Sequence, residues 1–177
     1  MLFVKPLPTH KENTPMPFPN VGETAPDFTE LDDTGEPLTL SALRGRRVVL
    51  YFYPKADTPG CTKQACALRD NYQLFRQKDV VVVGVSPDTV AEQAAFKAKY
   101  DLPFILIADA DHVVSERYGL WGTHKVTFNG VEHTTHGTRR STFIIEPDGT
   151  VSYAKFGVDA ASNTAEILDV LDSMEAR

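Results

Sequence analysis

Two cysteines, Cys61 and Cys66, are the residues best placed to do chemistry. The stretch before the first, Pro54-Lys55-Ala56-Asp57-Thr58-Pro59-Gly60, leads from an apolar run into a helical pattern. Cys61 therefore falls in the first turn of a helix, where unpaired N–H groups and the macrodipole stabilise an anion. That placement matters because the thiolate, not the thiol, is the nucleophile. With a reference pKa of about 8.5, a free cysteine is only a few per cent ionised at neutral pH. Lowering that value by two units is worth about 2.7 kcal/mol, more than a helix end supplies. A fixed cation near Cys61 is therefore expected.

Cys61, Ala65, Leu68, Tyr72 and Phe75 follow a 4-3-4-3 spacing, one continuous buried stripe. Cys61 thus points at the fold. Cys66, five residues on, lies about 140° around the helix and roughly 7.5 Å along it. The resulting Cα separation of about 8 to 9 Å exceeds the roughly 7 Å that a disulfide spans without backbone movement. Joining the two sulfurs must unwind the helix start. Packing accounts for Cys66 about as well as chemistry does, since free cysteine is often a small buried hydrophobe. For Cys61, Thr-Pro-Gly at a helix start is a costly choice if packing alone were wanted. Zinc is not expected, because two cysteines five apart with no partner pair make no tetrahedral site.

The elements that must hold this site alternate. Val48 to Tyr53, ended by Pro54, is a continuous apolar run typical of a strand buried on both faces, and similar runs recur at Val80 to Val85 and Phe104 to Ile107. Helical segments lie between them, at Cys61 to Lys78 and at Thr89 to Tyr100, where Thr89 and Glu92 have capping-box spacing. A shorter helix is expected from Asp111 to Tyr118. Asp88 and Thr89 read as helix-start residues. Before the first strand, Val21 to Leu43 suggests a short hairpin or loop and a helical turn. After the last, Ser141 to Glu146 and Thr150 to Phe156 form an antiparallel hairpin around Pro147-Asp148-Gly149, and a final helix carries Ile167, Leu171 and Met174 on one stripe. This order predicts an α/β, thioredoxin-like fold with a central mixed sheet flanked by helices.

At 177 residues, 42% hydrophobic and 24% charged, the chain fits a single globular domain over residues 21–177, preceded by a proline-rich N-terminal tail over 1–20. The tail lacks the apolar core of a secretory signal and the Arg and Ser enrichment of a transit peptide, so a cytoplasmic location is expected. Net charge is −6, which disfavours nucleic acid and anionic membranes as partners. No run approaches the roughly 18 apolar residues of a membrane span. Two cysteines are too few for a secreted disulfide framework, so a chemical role is expected before a structural bridge.

The segment YFYPKADTPGCTKQACALRD resembles the peroxiredoxins, and within them the peroxiredoxin Q or bacterioferritin comigratory protein group. That family's Pro-x-x-x-Thr-x-x-Cys signature falls on Pro54, Thr58 and Cys61, and the group's second cysteine falls on Cys66. Further similarity runs through Asp109 to His112, Tyr118 to Gly122 and Arg140 to Ile145. The resemblance implies a thiol-dependent peroxidase acting on hydrogen peroxide and organic hydroperoxides, with no cofactor and no metal. Cys61 would become a sulfenic acid, Cys66 would resolve it as an intramolecular disulfide, and thioredoxin or a similar dithiol would reduce that bond. It further implies that Thr58 hydrogen-bonds around the thiolate and peroxide, that Pro54 shields the pocket, and that Arg140 is the required cation. Arg139 is the rival, but strand alternation aims neighbours at opposite faces. A monomer is expected from the group's habit.

Two departures stand out: the segment 123–139 is longer than in typical relatives, with a bearing on substrate access, and Asp57 sets a negative charge beside the site. His124, His133 and His136, near Glu132, read as polar loop residues, because a three-residue spacing on an extended segment points side chains to opposite faces. Trp121, Phe128 and Phe156 read as packing residues. A disulfide reductase of the same fold would need Cys-x-x-Cys, whereas Cys61 is followed by Thr62, Lys63 and Gln64. A peroxide sensor or chaperone-like switch using the same unwinding is the alternative, and sustained turnover separates it from an enzyme.

Overall fold

The computed structural model describes residues 17–177. Most of the proline-rich tail, 1–16, lies outside them; its described end docks on the body, with Pro19 buried and the Phe18 ring 4.1 Å from that of Phe156. A small hairpin, β1 (Thr29–Leu31) and β2 (Pro37–Thr39), leads through a 3₁₀ turn at Leu40–Leu43 into β3 (Arg47–Phe52). Then come α1 (Pro59–Asp70), α2 (Tyr72–Gln77), β4 (Val80–Ser86), α3 (Val90–Tyr100), β5 (Ile105–Ala108) and α4 (Val113–Arg117). Two hairpins, β6 (Trp121–Phe128) with β7 (Val131–Thr138) and β8 (Ser141–Ile145) with β9 (Val151–Phe156), precede α5 (Asn163–Glu175).

The main sheet has the order β5-β4-β3-β8-β9, with β3 parallel to β4 and antiparallel to β8. This is the expected mixed sheet with helices on its faces. Period two along β3 explains why every position from Val48 to Tyr53 is apolar. Val48, Leu50 and Phe52 join a core with Val83, Tyr118 and Phe143, whereas Val49, Tyr51 and Tyr53 join another with Cys61, Ala65, Leu68, Phe75, Phe96, Ile167 and Leu171. Leu68, Phe75 and Leu171 are fully buried, each worth about 1.5–3 kcal/mol relative to exposure. The second core therefore joins α1 and α5 to one face of the sheet.

Two elements differ from the expected pattern. The helix from Cys61 to Lys78 breaks at Asn71, whose backbone N–H and side-chain amide both donate to the Ala67 carbonyl, at 3.2 and 2.8 Å, so that the side chain adds a local bond at the helix end. Residues 123–139, read as loop, instead form most of the β6–β7 hairpin, a separate sheet paired from Trp121↔Thr138 to Phe128↔Val131. Its turn is Asn129-Gly130, both at positive φ (50° and 75°), the geometry that two-residue hairpins prefer. His133 and His136 do fall on opposite faces, opposite Val126 and Thr123 respectively. Phe128 is not a packing residue: it sits at the tip, 67% exposed. Trp121 does pack, stacked on His112 with ring centroids 4.0 Å apart.

Candidate active site

The β3 strand delivers the chain to the site, and the exposed Pro54 ends it. Helix α1 then begins at Pro59, with Thr58 as N-cap, so Cys61 is its third residue. The first intrahelical bond runs from Thr62 N–H to Thr58 C=O at 2.8 Å. The N–H groups of Gly60 and Cys61 precede it, without helical acceptors and facing the start of the helix. No acidic residue occupies the first turn to compete with an anion there.

Cys61 is 1% exposed, and Arg140 reaches it from the loop before β8: Arg140 Nη2 lies 3.4 Å from Cys61 Sγ. The cation demanded by the helix-start argument is thus present. The same guanidinium donates through Nη1 to Gln64 Oε1 at 2.7 Å. Gln64 Nε2 donates to Asn163 Oδ1 at 2.9 Å, and Thr142 Oγ1 donates to that same oxygen at 3.0 Å. Gln64, Thr142 and Asn163 are all fully buried. Gly60 lets the guanidinium in, since a Cβ there would sit 3.2 Å from Arg140 Nη2. Arg139 goes elsewhere, lying over Gly157, as alternation implied.

Cys66 is half-buried on the same unbroken helix, and both cysteines are free. The helix therefore holds the two sulfurs apart, as their spacing required. Thr58 stands beside Cys61 in the chain, yet its hydroxyl donates to the Lys55 carbonyl at 2.7 Å instead of to the sulfur. Its lone pairs remain acceptors. The Asp57 charge is drawn off: its carboxylate takes Lys99 Nζ at 2.8 Å and the Tyr100 hydroxyl at 2.7 Å. These bonds, Lys99's first and Tyr100's second, hold the Asp57 carboxyl below its ordinary range. Asp88 does not cap α3, a task performed by Thr89 through a full capping box with Glu92. Instead, buried Asp88 accepts from Ser86 Oγ at 2.5 Å and from the Ala56 N–H at 2.7 Å, pinning the loop that precedes α1.

Among the described residues, the carboxylates of Glu30, Asp109 and Asp111 also gather within 4.8 Å of one another. Asp109 is already engaged, accepting from the N–H groups of Val114 and Ser115 at the start of α4. Sequence reasoning missed Gln64, Asn163 and the tethering role of Asp88. Gln64 carried a signal, since it precedes Ala65 on the buried side of α1 three residues after Cys61. Asn163 carried none beyond its place at a helix start.

A mixed sheet with a buried cysteine at a helix start, faced by a guanidinium, defines a thioredoxin-fold protein with one thiol set against a fixed cation. The comparisons carry this further. Residues 21–154 match the AhpC/TSA family. A putative peroxiredoxin bcp of Coxiella burnetii is 43% identical over 148 residues, covering 84% of this chain and 95% of the relative. Peroxiredoxin Bcp of Bacillus subtilis is 40% identical over 157 residues, covering 89% and 98%. The crystal structure of peroxidoxin BcpB from Mycobacterium tuberculosis aligns with a TM-score of 0.76 at 33% identity, over 88% of this chain and 97% of that one. The chain belongs to the AhpC/TSA family, among the Bcp and peroxiredoxin Q proteins. It is a peroxiredoxin, a thiol-dependent peroxidase.

Proposed function

We propose that Cys61 is the peroxide-reactive thiol, that Cys66 resolves it as an intramolecular disulfide, and that a dithiol protein such as thioredoxin reduces the product. The observation that carries this reading is the 3.4 Å approach of the Arg140 guanidinium to a buried sulfur at a helix start. The Cys61 thiolate attacks one peroxide oxygen, an S–O bond forms and the O–O bond breaks. The departing oxygen leaves as hydroxide or alkoxide and takes a proton to give water or alcohol. Sulfur loses two electrons and the peroxide gains them. Negative charge moves from sulfur to the leaving oxygen, so donors preset along that line stabilise the transition state more than the ground state.

Arg140 and the N–H groups of Gly60 and Cys61 are those donors in this reading. Thr58 turns its hydroxyl to accept from, or donate to, the peroxide, and Pro54 covers the outer side of the loop. Organic hydroperoxides are included as substrates; a structure of the Xanthomonas campestris bacterioferritin comigratory protein, 28% identical with a TM-score of 0.74, is described in terms of alkyl peroxide reduction. In the resolving step the Cys66 thiolate displaces hydroxide from the Cys61 sulfenic acid, so S–S forms, S–O breaks and water leaves after protonation.

The test is peroxide consumption by wild type, Cys61→Ser and Cys66→Ser with thioredoxin or a small thiol as reductant. Loss of Cys61 should abolish turnover. Loss of Cys66 should end thioredoxin-linked cycling while leaving one sulfenic acid per chain. Undiminished consumption by Cys61→Ser would refute the assignment, and a single oxidation per wild-type chain without cycling would mark a sensor instead.

A further inference from the structure

We infer that Asn163, on the closing helix, is a positioning residue that holds α1 in the conformation able to react with peroxide. The inference rests on the proposed role of Cys61. One carboxamide oxygen on α5 accepts from Gln64 on α1 and from Thr142 on β8. Gln64 in turn accepts from Arg140, whose other nitrogen faces Cys61. All three of Gln64, Thr142 and Asn163 are fully buried, so these bonds face no competition from water.

Geometry gives the network a second consequence. Gln64 lies between Cys61 and Cys66 on one helix, and those sulfurs meet only when the start of α1 unwinds. Unwinding that reaches the resolving cysteine carries Gln64 away from both Arg140 and Asn163. The Asn163 bond therefore favours the wound helix, which presents Cys61 to Arg140, over the unwound one, which forms the disulfide. Losing it should move the two chemical steps in opposite directions: slower oxidation of Cys61, faster resolution by Cys66. A residue that merely added to global stability would not split them.

The experiment compares wild type, Asn163→Leu, Asn163→Asp and Leu171→Ala by rapid quench with hydrogen peroxide and mass analysis of Cys61. A Cys66→Ser background isolates the first step. Leucine leaves Gln64 and Thr142 as buried donors without an acceptor, a loss on the scale of roughly tenfold in an equilibrium. Asn163→Leu should therefore oxidise roughly tenfold more slowly and pass from sulfenic acid to disulfide several-fold faster. Aspartate keeps the accepting oxygen and should bring both rates most of the way back to those of the parent. Leu171→Ala opens the same core beneath α5 without touching the network, and should lower the melting temperature without opposed rate changes. Unchanged rates in Asn163→Leu, or the same opposed changes in Leu171→Ala, overturn the inference while leaving the role of Cys61 intact. Absence of any Cys61 oxidation in the Cys66→Ser protein overturns the underlying reading, and this inference with it.

Discussion

Arg140 does two things at once, and only a forked, planar cation can do both. Nη2 faces the Cys61 sulfur while Nη1 donates to Gln64, so the Gln64 contact fixes the angle at which the charge meets the sulfur. Lysine offers a point charge on a flexible stem and cannot hold both partners in one geometry. Charge-assisted hydrogen bonds of this kind contribute about 1.5–3 kcal/mol, so Arg140→Lys should slow Cys61 oxidation by roughly 10- to 150-fold with little change in fold. Stopped-flow oxidation of the Cys66→Ser protein measures it directly, and a rate within twofold of the parent would show that the fork is not needed. At this scale the sequence showed the two partners of the contact but not its supports. Cys61 was legible from its place after Thr-Pro-Gly, and Arg140 from a resemblance. Gln64 and Asn163 were not, because a buried amide and a surface amide are the same letter, and their pairing spans 99 residues.

At the scale of elements, the break at Asn71 decides how far the redox change spreads. Helix α2 is a separate unit, anchored by the buried Phe75, and does not depend on the turns before it. Disulfide formation should therefore melt the start of α1 and stop. Hydrogen exchange followed by mass spectrometry should show faster exchange over 59–66 in the oxidised protein and unchanged protection over 72–83; loss of protection through α2 would contradict this. The loop before α1 is held at Ala56 by Asp88 and at Asp57 by Lys99 and Tyr100. Because the Asp57 carboxyl titrates below its ordinary value in the folded chain, its contribution is fully present above the unfolded value of about 3.9. It is lost as pH falls through the lower folded one. The stability difference between wild type and Asp57→Asn should thus be flat from about pH 5 to 8 and vanish on acidification below about pH 4, with 1 M salt shrinking it throughout. A difference that instead grew on acidification would assign the tether to another group. The sequence showed the Asp57 charge beside the site but not what meets it, since Lys99 answers it from 42 residues away. The strands of the main sheet and α3, by contrast, were readable to within a few residues, because runs buried on both faces and a capping box at Thr89 are local signals.

For the whole molecule, the β6–β7 arm is the part that the sequence left unread. Its residues, rich in His, Thr and Gly, show no continuous buried stripe, and the one local signal was Asn129-Gly130. At the root, Trp121 stacks on His112 and Arg139 N–H donates to the Leu120 carbonyl at 2.8 Å, one residue before Arg140. At the tip, Val126, Phe128 and Val131 are exposed on one face. With a rise of about 3.3 Å per residue, the seven steps from Trp121 to Phe128 carry the tip roughly 23 Å along the arm from its root. A long segment next to Arg140 in sequence is thus exposed over its outer part, and we expect that part to leave access to Cys61 unchanged. Replacing 126–133 with Asn-Gly would join Lys125 to its existing cross-strand partner Thr134 and remove the exposed apolar tip without disturbing the root. The shortened protein should keep its rate with both hydrogen peroxide and a bulky hydroperoxide. Its melting temperature should stay within about 2 °C of the parent, since surface changes of this kind cost no more than about 0.5 kcal/mol. It should also aggregate less at high concentration, because an unpaired, apolar hairpin edge is a template for association. A selective loss of rate with the bulky hydroperoxide alone would show that the tip folds back over the site in solution.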